Sequence, residues 1–168
     1  MADSKLEIIN PPNTLKSKVS VGGPGAVDPA ALERAEKVIA GMAGSYLKWV
    51  QDDLVKIAGA YDKLVSGQHD RKQVLSEIFQ ISHDMKGQGG SFGYVLMTSV
   101  GNELCRIIEK MGTSGNTTLE NEVIRIHIDA MKLVIAAKLV GDGGKAGEAM
   151  LTGIRKMCDK LTGPATPA

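Results

Sequence analysis

The sequence predicts an all-α protein: an up-down antiparallel helical bundle with a four-helix core, an extra C-terminal helix and an N-terminal tail. Three observations carry that prediction. Apolar residues recur at spacings of three and four over most of the 168 residues. Aromatics make up only 4% of the chain, so a core must be built mostly from Leu, Ile, Val, Met and Ala, which suits helix packing better than a β-sandwich. The breaks between periodic segments are short, and short connections favour antiparallel neighbours. No strand pattern and no internal repeat emerges. The length is that of a single domain able to bury a real core.

Residues 1–27 read as a largely irregular tail, because Pro11, Pro12 and the Gly22-Gly23-Pro24-Gly25 cluster break any regular element. A helical domain over 28–163 follows, then a short C-terminal tail over 164–168. Asp28-Pro29 is a helix start, with Asp as N-cap and Pro at the first helical position. Leu32, Ala35, Ile39, Met42, Tyr46, Val50, Leu54, Ile57, Tyr61 and Leu64 then form one long apolar stripe. Gly41 and Gly44 are candidate points for a bend or break in it, and Trp49, beside the stripe, reads as a packing anchor. The segment Ser66 to Asp70 ends this helix. A second helix is predicted from Arg71 toward Gly89, and a third from Ser91 or Phe92 through Met111. After a turn over 112–116, a fourth helix runs from Thr118 to Val140. The Gly141-Asp142-Gly143-Gly144 break precedes a last amphipathic helix through Met150, Leu151, Ile154, Met157 and Leu161.

Charge and composition remove several classes of function. Lys and Arg number 20 against 19 Asp and Glu, so no basic excess points to nucleic acid. Cys105 and Cys158 form no CxxC pair and read as reduced thiols. The start lacks the apolar h-region of a signal peptide, and no run approaches a membrane span, so the expected location is cytoplasmic without membrane contact. His69, His83 and His127 show no metal-ligand spacing, and no Glu-x-x-His pair is present. His69 falls in a loop, and His127 on the apolar face of its helix, where a hydrogen-bonded core histidine is expected. Gly143-Gly144-Lys145-Ala146 lacks the spacing and hydroxyl of a P-loop, and Phe92 occupies the third glycine position of a G-x-G-x-x-G reading.

The stretch His83-Asp84-Met85-Lys86-Gly87-Gln88-Gly89-Gly90-Ser91-Phe92-Gly93 carries the chemistry. At roughly 100° per residue, Val74, Leu75, Ile78, Phe79, Ile81 and Met85 centre on one direction, and His83 points about 140° away from it. Lys86, Gly87 and Gly90 lie three, four and seven residues on, near the same exposed stripe as His83. Glycine inside a helix costs roughly 0.5–1 kcal/mol relative to Ala, so Gly87, Gly89 and Gly90 need a reason. Geometry alone leaves two. Another protein's backbone approaches closely there, or the helix ends there and Gly90-Ser91 is a stop followed by a new N-cap.

The pattern H-x-x-K-G-x-x-G-x-x-G, met by His83, Lys86, Gly87, Gly90 and Gly93, resembles the phosphorylation-site motif of histidine-containing phosphotransfer (HPt) domains. Met85 and Phe92 fall where that family is apolar, and Gly101 to Glu109 is similar to its following helix. The likeness covers roughly Trp49 to Val140 at the level of helix pattern; Gln88 departs from the family's usual small residue. The resemblance implies a phosphohistidine carrier with no kinase activity or ATP site of its own. In it, His83 accepts a phosphoryl group from the aspartyl phosphate of a response-regulator receiver domain and passes it to a second receiver. Lys86 stabilises the phosphoryl charge, and Gly87, Gln88, Gly90 and Gly93 form the docking surface. Mg²⁺ belongs to the receiver, the chain itself needs no cofactor, and a hybrid histidine kinase is a further expected partner of a monomeric protein. The alternative from another class is a helical adaptor that binds a receiver or kinase without carrying phosphate.

Overall fold

The computed structural model describes residues 28–111 and 117–162. Among them lie five helices and no strand: α1 (Pro29–Ser66), α2 (Arg71–Ser91), α3 (Val95–Lys110), α4 (Thr117–Ala136) and α5 (Gly144–Thr162). The all-α class is thus observed. The tails over 1–27 and 164–168 and the turn over 112–116 lie outside the described residues. No described helix is long and apolar enough to cross a membrane.

The chain divides into two compact units, Met1–Val38 and Ile39–Ala168. In the first, the described residues open α1 as expected. The Asp28 carboxylate accepts the Ala30 N–H at 3.0 Å, and its carbonyl accepts those of Ala31 and Leu32 at 2.9 and 3.1 Å. These acceptors satisfy N–H groups that the first helical turn would otherwise leave without partners.

In the second unit, neither Gly41 nor Gly44 interrupts α1. Tyr46, Val50, Leu54, Ile57 and Leu64 bury the stripe, whereas Ile39 and Met42 stay exposed. Trp49 is not the packing anchor the sequence suggested. It is 41% exposed and meets Phe92 only edge-on, with centroids 6.5 Å apart. One position off the stripe is about 100° of helix rotation, so Val50 takes the inward direction and Trp49 the flank. The anchor at this level is Tyr46, buried and stacked on Phe92 with centroids 4.6 Å apart.

Helices α2 and α3 run antiparallel in close contact. Gly89 meets Tyr94 and Met97, Lys86 meets Thr98, and Ser82 meets Gly101, so partners rise on one helix as they fall on the other. Small residues permit this approach. A β-carbon on Gly101 would lie 3.0 Å from the Lys86 Cβ, and one on Gly89 3.0 Å from the Tyr94 carbonyl oxygen. Buried Val74, Ile78 and Met85 of α2 join Leu96, Met97, Val100 and Leu104 of α3, Val123, Ile124, Met131 and Val134 of α4 and Ile154 of α5 in one core. The starts of α2 and α4 are tied by Arg71, which donates to the buried Glu120 carboxylate at 2.7 Å and to the Asn121 amide oxygen at 2.9 Å.

Two boundaries differ from expectation. Helix α2 continues through Ser91 and α3 begins only at Val95, so Ser91 is no N-cap. Helix α4 stops at Ala136 rather than Val140.

Candidate functional site

Asp70 starts the site-bearing helix: its carboxylate accepts the Gln73 N–H at 2.8 Å. From there the helical phase runs unbroken to Ser91, which buries Val74, Ile78, Ser82, Met85 and Gly89. His83 is left on the outer face, its side chain 53% exposed. His83 thus faces outward, as the helical phase predicts. The Phe79 ring stacks on the His83 imidazole with centroids 6.1 Å apart and planes 23° from parallel. The Asp84 carboxylate lies 3.7 Å from Nδ1 of His83.

Lys86 is half-buried one turn on. Its backbone is pinned from α3 by the Thr98 hydroxyl, which donates to the Lys86 carbonyl at 2.9 Å. Its side chain enters none of the ion pairs found among the described residues. That leaves the ammonium available to an anion brought to the same face.

The glycines separate into different roles. All of Gly87, Gly89 and Gly90 are helical, so the reading in which the helix stops at Gly90 is excluded. Gly87 is exposed, and a β-carbon there would meet nothing within 4 Å. Gly90 is also exposed, and its β-carbon would only touch the Thr98 hydroxyl at 3.5 Å. Gly89 is the packing glycine against α3. Gly93 makes the turn: its φ of +80° is costly for any side chain bearing a Cβ. Its carbonyl accepts the Gly141 N–H at 2.6 Å, and the Gly141 carbonyl accepts that of Leu96 at 2.8 Å. Gly93 therefore has a full structural account, whereas Gly87 has none among the described residues. Gln88 is half-buried beside them, its carbonyl among the acceptors of the Phe92 N–H that closes the helix.

Sequence reasoning missed Phe79 as a neighbour of the imidazole and Gly101 as the point where α3 touches the Lys86 backbone. Both had a signal. Phe79 is four residues before His83, the spacing that brings helical side chains together. Gly101 interrupts an otherwise apolar face between Met97 and Leu104, where a glycine marks close backbone approach.

The other titratable candidates differ in their surroundings. His69 is exposed in the α1–α2 connection. His127 is fully buried, and its Nδ1–H donates to the Val123 carbonyl at 2.7 Å. Burial holds its imidazole below the usual pKa, against weaker opposing pulls from that carbonyl and Glu103. Cys158, 4.0 Å from Nε2 of His127, has its thiol pushed up to about 11, first by burial and then by Glu103 and Asp159, so it is not a thiolate nucleophile near neutral pH. The buried Cys105 thiol lies 3.7 Å from the Ser82 hydroxyl, and burial pushes its pKa up. No three His, Cys, Asp or Glu side chains among the described residues come together as a metal site would require.

The His127 environment predicts a pH dependence. Its folded pKa lies below the unfolded value near 6.5, so below that value the unfolded chain takes up a proton the folded one refuses. Stability tied to His127 is therefore full above about pH 7 and falls on acidification, by at most about 1.4 kcal/mol per pH unit. Urea midpoints at pH 7.5 and 5.5 should draw closer together in His127→Gln than in the wild type. An unchanged difference would mean that His127 is protonated inside the fold.

Compared with family models, curated proteins and solved structures, the chain matches none. The functional reading therefore rests on the motif resemblance of residues 83–93 together with the geometry of this site.

Proposed function

We propose that this chain is a histidine phosphotransfer protein that relays a phosphoryl group between the aspartates of response-regulator receiver domains, with His83 as the carrier. The observation that carries the proposal is one helix face: a half-exposed imidazole, a lysine one turn on with no ionic partner among the described residues, and the open surface of Gly87 beside them. On this reading the fold is an up-down four-helix HPt-like bundle to which α5 adds a further helix. The antiparallel run of α2 and α3 supports it.

The chemistry needs little more than that face. An imidazole offers a neutral nitrogen nucleophile near neutral pH. One ring nitrogen of His83 attacks phosphorus and the N–P bond forms. The P–O bond of the receiver's acyl phosphate breaks, and its electron pair stays on the aspartate carboxylate. Negative charge spreads over the equatorial oxygens in the transition state, where the Lys86 ammonium lies within a turn of the reacting nitrogen. The receiver brings the Mg²⁺ and the acyl phosphate, and its backbone fits over Gly87 and Gly90, with Gln88 and the Gly93 turn at the border. Return transfer uses the same atoms in reverse. Such a relay belongs in the cytoplasm.

The test mixes the purified chain with a phosphorylated receiver and follows label onto the chain. Acid-labile, base-stable label supports the carrier. Stable binding of receivers with no label from any of several would replace it by the adaptor reading. Gly87 gives a second, separable prediction. Gly87→Ala should raise stability by about 0.5–1 kcal/mol, because the site is helical and open. Gly87→Arg should fold equally well but raise the receiver KM about tenfold or more by blocking docking. Undiminished transfer in Gly87→Arg would remove Gly87 from the docking surface.

A further inference from the structure

Two side chains of its own helix stand beside the His83 ring. Phe79 covers one face of the imidazole, and Phe79 is itself partly buried, which limits how far it can swing away. On the other side the Asp84 Oδ1 stands 3.7 Å from Nδ1. That same oxygen accepts the side-chain amide of Gln80 at 3.1 Å, which favours the carboxylate position that faces the ring. Gln80 and Asp84 are one turn apart, as are Phe79 and His83, so the two pairs advance along α2 in step.

We infer that Phe79, Gln80 and Asp84 are positioning residues for the transfer reaction, which rests on the reading of His83 as the carrier. At 3.7 Å the carboxylate is too distant for a hydrogen bond, so it acts through its charge. A negative oxygen facing Nδ1 favours the tautomer whose N–H dipole points at it, with the proton on Nδ1. The lone pair is then on Nε2, the nitrogen turned away from Asp84. The same charge disfavours a phosphoryl group on Nδ1, where two anions would crowd together, and Lys86 supplies the opposite charge farther along the face. Phe79 narrows the rotation of the ring, so Nε2 meets the incoming phosphorus in a smaller set of directions. Orientation of this kind acts on turnover rather than on receiver affinity.

The chain contains its own references for a test. His127 is fixed as the Nδ1–H tautomer by its bond to the Val123 carbonyl, and His69 is an exposed loop imidazole. Long-range proton–nitrogen correlation spectra of the full chain, at a pH where the imidazoles are neutral, report the tautomer of each histidine. His83 should hold more Nδ1–H than His69, and Asp84→Asn or Gln80→Ala should bring it about threefold closer to the His69 ratio. In receiver-driven transfer, Phe79→Leu should lower the rate at saturating receiver about tenfold while the KM stays within about twofold. A purely structural role for Phe79 would shift melting and leave that rate intact. A His83 ratio equal to that of His69 and indifferent to Asp84→Asn, with full turnover in Phe79→Leu, overturns the inference while leaving the carrier in place. Label retained on His83→Gln overturns both.

Discussion

Replacing His83 by Gln should abolish the proposed transfer of label to this chain and leave the fold intact. Glutamine occupies a similar volume and can hydrogen-bond to water from the same position, but its amide nitrogen has no lone pair free to attack phosphorus. His83 is half-exposed, and its contacts are the Phe79 ring and the Asp84 carboxylate rather than the core. A surface substitution of this type changes stability within about 0.5 kcal/mol, so the melting temperature should move by no more than roughly 2 °C. The pairing of full loss with an unchanged melt separates a missing nucleophile from a damaged protein. Lys86→Ala is the graded companion: it should slow transfer about 10–100-fold without abolishing it, as removal of one charge from a phosphoryl-transfer site does. Melting curves and label time courses on the same preparations check both. Label on His83→Gln at the wild-type rate would place the phosphoryl group elsewhere.

Replacing Gly101 by Val should destabilise the fold strongly through the α2–α3 contact. The first added carbon would lie 3.0 Å from Cβ and 3.4 Å from Cα of Lys86, and 3.2 Å from the Ser82 carbonyl oxygen. None of these is the far end of a flexible side chain, so the helices themselves must part. Valine then adds two more methyl groups at the same point. Parting would also stretch the Ser82 hydroxyl's bond to the Gly101 carbonyl, now 3.2 Å, and that of Thr98 to the Lys86 carbonyl. Overpacking of this kind costs about 1–3 kcal/mol, and the rigid neighbours place Gly101→Val near the upper end. Thermal unfolding should drop by roughly 10 °C. Because the disturbed backbone is that of Lys86, transfer by the folded fraction should slow as well. A melt within about 2 °C of the wild type would show that α2 and α3 stand farther apart than described.

How much could be read from the sequence follows from which features are periodic. The phase of α2 could be counted residue by residue, so the outward direction of His83 and the inward direction of Met85 were both legible. The Asp28 cap was legible because its chemistry is local. The end of α2 was not. A glycine can end a helix or pack inside one, and Gly89 and Gly93 are neighbours in sequence with opposite roles. What decides between them is tertiary: Met97 and Thr98 of α3 crowd Gly89, and Gly141 holds the Gly93 turn. Trp49 was misplaced for a related reason. Size and apolarity suggested an anchor, but a position one residue off the stripe belongs to the flank even when its side chain is the largest available. Phe79 counts toward the apolar side of α2, yet its place four residues before His83 also brings its ring toward the imidazole.

The carrier claim is tested most directly by the intact mass of the protein after exposure to a phosphorylated receiver, followed by mapping of the modified peptide. A gain of one phosphoryl group, lost in acid and kept in base, is expected on the peptide that contains His83. No mass gain from any of several phosphorylated receivers, or a phosphoryl group on a peptide without His83, would contradict it.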